Sequence, residues 1–307
     1  MSTPLPVTVL GGYLGAGKTT VINHLLRHAD GVRLAVLVNE FGDLAIDADL
    51  IEARDEDMIS IAGGCVCCSF GSDLSAALMD IAALDPAPDH IVIEASGVAI
   101  PGAIVASLGL ISGVRADGVV VLADAETIKD QIQAKYIGDT VARQLRDADI
   151  IVLNKIDLVA DAGVDAGVDA GVEAGVEAGA VADWLADVAP AARVIPATHG
   201  RVPAAVVMES FLGRPGPAGP HFEAAHLRSE AFCPDKPIDT SALAQQIAQE
   251  MPDIIRAKGF ARDIDGRMKL LQIVGRRFEI SDARPDARAG IVCIGFETAF
   301  PLSIARS

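Results

Sequence analysis

Between an apolar run, PVTVLGG (6–12), and a helical pattern, KTTVINHLLRHA (18–29), lies GYLGAGKT (12–19). This is the G-x-x-x-x-G-K-[ST] arrangement, and it constrains the fold more than any other stretch. It works only as a tight turn that leads from the end of a strand into the first turn of a helix. Its glycines let the backbone wrap a phosphate, while loop amides and the helix N-terminus present donors to it. Gly12, Gly15, Ala16, Gly17, Lys18, Thr19 and Thr20 form such a cradle here. Lys18 is placed to reach the outer phosphates and Thr19 to offer its hydroxyl to Mg²⁺.

The first 200 residues repeat the strand-then-helix rhythm. Short Val/Ile/Leu runs at 33–40, 90–95, 118–124, 149–155 and 192–197 read as strands buried on both faces. Helical patterns at 72–84, 99–110 and 139–148 lie between them. The expectation is an α/β fold: a P-loop NTPase domain over 1–212 with a mainly parallel, doubly wound sheet. GRPGPAGP (213–220) opens a linker over 213–225. From 226 to 307 strand patterns cluster around one or two helices, among them DTSALAQQIAQEM (239–251), which predicts a smaller α+β domain with an antiparallel sheet. DAGVDAGVDAGVEAGVEAGA (161–180) has a period of four, too short for a solenoid repeat, and reads as a flexible acidic insertion.

Charge and leader narrow the function classes. With 25 Lys+Arg against 42 Asp+Glu the net charge is −17, a field that repels nucleic acid and anionic membranes and concentrates cations. MSTPLPVTVLGGYLG has no basic leader, and no run of about 18 apolar residues occurs, so neither a signal peptide nor a membrane span is expected. The expected compartment is the reducing cytoplasm, where clustered cysteines bind metal or do redox chemistry more often than they form disulfides.

Two further motifs define a nucleotide. NKID (154–157) follows the strand DIIVL. A carboxylate at Asp157 can accept from both the N1–H and the amino group of guanine, whereas adenine offers no such pair of donors. Asn154 and Lys155 belong to the same motif, and ATHG (197–200) is placed to bring a loop amide to the guanine carbonyl. HIVIEASG (90–97) supplies Glu94 at a strand end for the Mg²⁺ neighbourhood, and Gly97 as a mobile amide for the γ-phosphate. Asp124, at the end of GVVVLAD, reads as a structural cap.

Three of the five cysteines, Cys65, Cys67 and Cys68, fall within GGCVCCSF (63–70). Thiolates are soft ligands that select Zn²⁺, Co²⁺ or Cu(I) over Mg²⁺. Three of them leave a fourth tetrahedral position open, which suits transfer more than permanent structure. A redox switch or inert burial are the other readings of the cluster. His24 and His28, four apart on the first helix, could form a ligand pair but fit helix packing and solvent exposure better. Cys293, inside a strand pattern, reads as a small buried apolar residue.

The order GGYLGAGKTT, NEFGD, GCVCC, EASG, NKID, followed by RAKGF, LQIVGRRFEI and IVCIGFE, resembles the CobW/YjiA family of GTPases over nearly the whole chain apart from the tetrad insertion. The resemblance implies a metallochaperone: a GTP hydrolase that uses Mg²⁺, holds zinc or cobalt at the C-x-C-C motif, and delivers it to a client metalloprotein or metal-insertion enzyme. An oligomer is compatible with it. It also implies a metal or Mg²⁺ role for Asp43 in NEFGD, where relatives more often carry Glu. Three departures stand out: Val38 replaces an acid found in some relatives, Ile100 replaces the usual Asp before Pro101, and the linker lacks a His-rich run. The rivals are a regulatory GTPase switch whose cysteines are redox or structural, and a P-loop kinase, against which NKID argues.

Overall fold

Runs such as VTVLG, IVIE and IIVLN carry no polar alternation, so a sheet built from them must be covered on both faces. The computed structural model, which describes residues 4–28, 31–39, 58–63, 73–161, 170–209 and 227–300, contains that sheet. Its strands are β1 (Leu5–Gly12), β2 (Leu34–Asn39), β3 (Met58–Gly63), β4 (His90–Glu94), β5 (Val114–Asp124), β6 (Ile150–Asn154) and β7 (Arg193–Pro196). All pairs are parallel, in the order β3-β2-β4-β1-β5-β6-β7. β4 and β6 are buried along their whole length, and β1 along all but its first residue.

Helices α1 (Lys18–Arg27), α2 (Asp73–Ala82), α3 (Pro101–Leu108), α4 (Ile128–Gln133), α5 (Gly138–Asp147), α6 (Ile156–Asp161), α7 (Ala170–Val188) and α8 (Ala204–Val207) fall between or after these strands. One core joins Leu74, Leu78 and Ile81 of α2 and Ile104 and Leu108 of α3 to Val7, Val9, Ile91 and Ile93 of the sheet. A second joins Val141 and Leu145 of α5 and Val181 and Leu185 of α7 to Val119, Val121, Ile151 and Leu153. Opposite the first core, buried Thr8 donates its hydroxyl to the carbonyl of Val207 at 2.8 Å, which ties the end of α8 to β1.

Two elements differ from the sequence reading. MISIAG (58–63), between an acidic stretch and a Gly pair, is edge strand β3, whose six residues were too short and too mixed to read as a strand. The second half of the tetrad segment is not irregular: α7 begins at Ala170. Its Gly residues cost about 1 kcal/mol each in a helix. Tertiary packing offsets that cost, because Val181 and Leu185, four apart, are buried in the second core and extend the helical register backwards.

The chain divides into two compact units, Met1–Val207 and Met208–Ser307. The second unit is an antiparallel five-stranded sheet in the order β11-β10-β9-β12-β8, from β8 (Leu227–Phe232), β9 (Ile254–Arg262), β10 (Met268–Val274), β11 (Arg277–Asp282) and β12 (Gly290–Phe296). One face is covered by α9 (Thr240–Gln245) and the π-helical turn Gln246–Glu250. Asp239 caps α9 by accepting from the amides of Ser241 and Ala242. Cys293 is buried beneath this helix, and burial together with nearby Glu230 pushes its thiol up to about 12, so it is inert at neutral pH.

In the first unit, every strand of the parallel sheet ends at the same edge. Gly12, Asn39, Gly63, Glu94, Asp124, Asn154 and Pro196 terminate β1 to β7 there. The chain order reverses beside central β1, and open α/β sheets bind ligands at such a point, beyond the carboxyl ends of the strands.

Candidate nucleotide site

At the end of β1 the backbone turns sharply into α1. Gly12, Gly15 and Gly17 take φ values of 131°, 77° and 102°, the left-handed region that glycine alone enters without strain. At Gly17 a side chain is excluded for a second reason: a Cβ there would lie 2.5 Å from Nδ2 of Asn154. Gly17 is also the N-cap of α1 and supplies no side-chain cap, so the first-turn amides face the loop without a competing side-chain acceptor. Lys18, only 8% exposed, turns back so that Nζ donates to the carbonyl of Gly12 at 3.0 Å. Its charge therefore lies across the concave side of the loop, where a phosphate oxygen would meet it.

One residue further, Thr19 places Oγ1 3.3 Å from Oε1 of Glu94, donating to it. Glu94 is 4% exposed and is registered with Leu10 of β1 and Val38 of β2. A hydroxyl and a carboxylate held together at the mouth of a phosphate loop form a hard oxygen donor set, which fits Mg²⁺.

The buried Asn154 carboxamide joins two loops. Its Nδ2 donates to the carbonyl of Ala16 at 3.0 Å, and its Oδ1 accepts from the amide of Gly200 at 2.9 Å. Gly200 (φ 66°) approaches the first turns of α1 so closely that a Cβ would lie 3.2 Å from Cγ2 of Thr20. The phosphate loop, the end of β6 and the ATHG turn thereby form one rigid group. Lys155, itself left-handed (φ 61°), sends Nζ to Oδ2 of Asp124 at 2.7 Å. Asp124 Oδ1 also accepts from the amide of Glu126, the capping role its position suggested.

Asp157 sits in the first turn of α6. Its Oδ1 is buried and has no hydrogen-bond partner among the described residues. Its Oδ2 lies 3.8 Å from Nε2 of His199, which takes φ 52° in the ATHG turn. A buried carboxylate oxygen without a donor is costly, of order 1–3 kcal/mol, and marks a place where a ligand donor belongs.

Ser96 and Gly97 follow Glu94 as a tight turn, closed by the amide of Ala99 donating to Ser96 O at 2.8 Å. A Cβ on Gly97 would lie 2.5 Å from Cδ2 and 3.0 Å from N of Leu14, so this turn rests directly on the phosphate loop. The turn is also held by Gln144 of α5, whose Nε2 donates to the carbonyls of Gly97 (3.0 Å) and Ala99 (2.8 Å). The sequence reading passed over Gln144. Its signal was present: it lies three residues after Val141 on the apolar face of an amphipathic helix, where a polar side chain needs a partner.

Cys65, Cys67, Cys68 and Asp43 lie outside the described residues. Among the described residues no group of three or more His, Cys, Asp and Glu could hold a metal ion. His24 and His28 stack with ring centroids 4.3 Å apart. Burial holds the His24 pKa below its usual value, with His28, Arg201 and Arg27 adding to the effect, so His24 sits where positive charge is disfavoured. None of the described helices is long and apolar enough to cross a membrane.

Replacing Asn154 by Ala strands the Ala16 carbonyl and the Gly200 amide, both buried. The expected loss is about 2–4 kcal/mol of stability in the first unit, read as a shifted urea midpoint. A change under about 0.5 kcal/mol would show that the carboxamide does not hold the site together.

A model of the CobW/HypB/UreG nucleotide-binding domain matches residues 6–174, and a model of the cobalamin synthesis protein CobW C-terminal domain matches residues 227–299. A zinc chaperone CobW from Sinorhizobium sp is 30% identical over 90% of this chain and 86% of its own length. The zinc chaperone YjiA of Escherichia coli strain K12 is 37% identical over 52% of each chain. Among solved structures, Zn(II)-bound YjiA GTPase from E. coli aligns over 96% of this chain and 95% of its own, at 25% identity and a TM-score of 0.48. The chain belongs to the family defined by the CobW/HypB/UreG nucleotide-binding domain, and it carries the CobW C-terminal domain behind it.

Proposed function

We propose that this chain is a GTP hydrolase that binds zinc and passes it to a client metalloprotein. The observation that carries the nucleotide reading is Asp157 Oδ1, buried and without a partner among the described residues at the rim of a built phosphate cradle. The N1–H and 2-amino group of guanine are a pair of donors that such a carboxylate can accept together. The Asn154–Gly200 bond fixes the ATHG turn, which is placed to offer a loop amide other than those of Ala197 and Gly200 to the guanine carbonyl. Lys18, the left-handed loop and the uncapped start of α1 take the phosphates.

Thr19 and Glu94 would hold Mg²⁺, which when bound neutralises charge on the outer phosphates. Gly97 offers its amide to the terminal phosphate, and the contact between Gly97 and Leu14 lets the EASG turn respond to that phosphate. EASG contains no Gln to orient an attacking water. Intrinsic hydrolysis is therefore slow, and a partner or the metal accelerates it.

Zinc is the cargo in this reading. Relatives are named zinc chaperones and zinc-regulated GTPase metalloprotein activators. The thiolates of Cys65, Cys67 and Cys68 select a soft transition metal, with Asp43 available as an oxygen ligand and cobalt as the second choice of metal. Support from the described residues is topological. β3 ends at Gly63, registered with Asn39 at the edge where the phosphate loop and Glu94 also emerge. β3 is three strands from β1, about 14 Å at the usual strand spacing. The cysteine segment follows β3 directly in sequence.

Two experiments test this. In Asp157→Asn the carboxamide can no longer accept both guanine donors. GTP binding should weaken by about 10- to 100-fold in a fluorescent-nucleotide competition, while xanthosine triphosphate, with an oxygen where guanine carries its amino group, gains. Unchanged selectivity would remove the guanine assignment. For the metal, equilibrium dialysis followed by elemental analysis should find zinc retained by the wild-type chain and lost from Cys67→Ala and Cys68→Ala. Equal retention by the variants would leave a regulatory GTPase switch whose cysteines serve redox or structural ends.

A further inference from the structure

The segment from Glu94 to Gly102 is held along one side by a single helix. Gln144, 1% exposed in the middle of α5, spends both hydrogens of its carboxamide on the carbonyls of Gly97 and Ala99. One turn later, Asp147 Oδ2 accepts from the amide of Gly102 at 2.8 Å, which fixes the start of α3. The opposite side of the same turn rests on Leu14 of the phosphate loop. The EASG turn is thus clamped between α5 and the phosphate loop, and the clamp on the α5 side is two hydrogen bonds from one amide nitrogen.

We infer that Gln144 is a positioning residue for the terminal phosphate. It touches neither nucleotide nor attacking water. By fixing the Gly97 and Ala99 carbonyls it sets the plane of the turn, and so aims the Gly97 amide at the phosphate that distinguishes a triphosphate from a diphosphate. This rests on the role proposed above for Gly97. Only a side chain with two amide hydrogens serves here: an apolar one leaves a buried and a half-buried carbonyl without their donor, and a carboxylate repels them. A merely structural hydrogen bond would stabilise the chain alike in every nucleotide state. One that aims Gly97 acts only where a third phosphate is present.

The test compares wild type with Gln144→Met, which keeps the length and bulk of the side chain and removes its donors. GDP and a non-hydrolysable GTP analogue are the binding probes, both with Mg²⁺, beside kcat and KM for GTP and thermal unfolding without nucleotide. GDP affinity is expected to stay within about twofold of wild type, while analogue affinity and kcat each fall about 10- to 100-fold. If GDP and the analogue weaken by the same factor, or neither weakens and kcat holds, Gln144 is structural and the inference is overturned. Gln144→Glu serves where the Met variant does not fold. Its neutral acid can donate to one carbonyl and its carboxylate to none, so hydrolysis should recover relative to wild type as pH is lowered. A ratio to wild type that is flat with pH overturns the inference. Failure of the underlying reading is visible before any substitution: a wild-type chain that binds neither nucleotide removes the γ-phosphate role of Gly97, and this inference with it.

Discussion

One buried carboxamide holds the nucleotide site together. Asn154 bonds the phosphate loop at Ala16 on one side and the ATHG turn at Gly200 on the other, at the end of a fully buried strand. Without it the phosphate cradle and the turn beside Asp157 would belong to separate loops. With it, Lys18, Thr19, Asp157 and His199 are positioned relative to a single point. Gly17 must be glycine in this arrangement, because a Cβ at that position would occupy the space of the Asn154 carboxamide.

The second constraint is the parallel sheet. Parallel strands put all their carboxyl ends on one edge, so motifs spread from residue 12 to residue 200 converge without any contact between them in sequence. The same geometry brings the end of β3, from which the cysteine segment follows, to the edge that carries Glu94 and the phosphate loop. In the proposed function, metal binding by the cysteines and nucleotide binding are coupled. Such coupling is reciprocal: whatever the triphosphate does for metal affinity, the metal does for triphosphate affinity.

The parts of this arrangement legible in the sequence were those with a local chemical signature. GYLGAGKT and NKID carry their meaning in residue type and spacing, and the fully apolar strands announced a sheet covered on both faces. β3 was not legible because an edge strand of six residues gives too short a pattern. The helical start at Ala170 was hidden by glycines whose cost is met by packing of Val181 and Leu185, which no local propensity reports. Gln144 was passed over for the opposite reason. Its polarity on an apolar helix face was visible, but its partners, Gly97 and Ala99, lie more than 40 residues away. The partnering of Asp157 with His199 likewise depends on a left-handed turn that the letters ATHG do not display.

In the proposed function, nucleotide state sets metal affinity. The direct measurement is zinc affinity by chelator competition, with GDP and then with a non-hydrolysable GTP analogue, both with Mg²⁺. The account predicts tighter zinc with the analogue, by about 5- to 150-fold, the range of ordinary coupling free energies. The same zinc affinity in both states would contradict it.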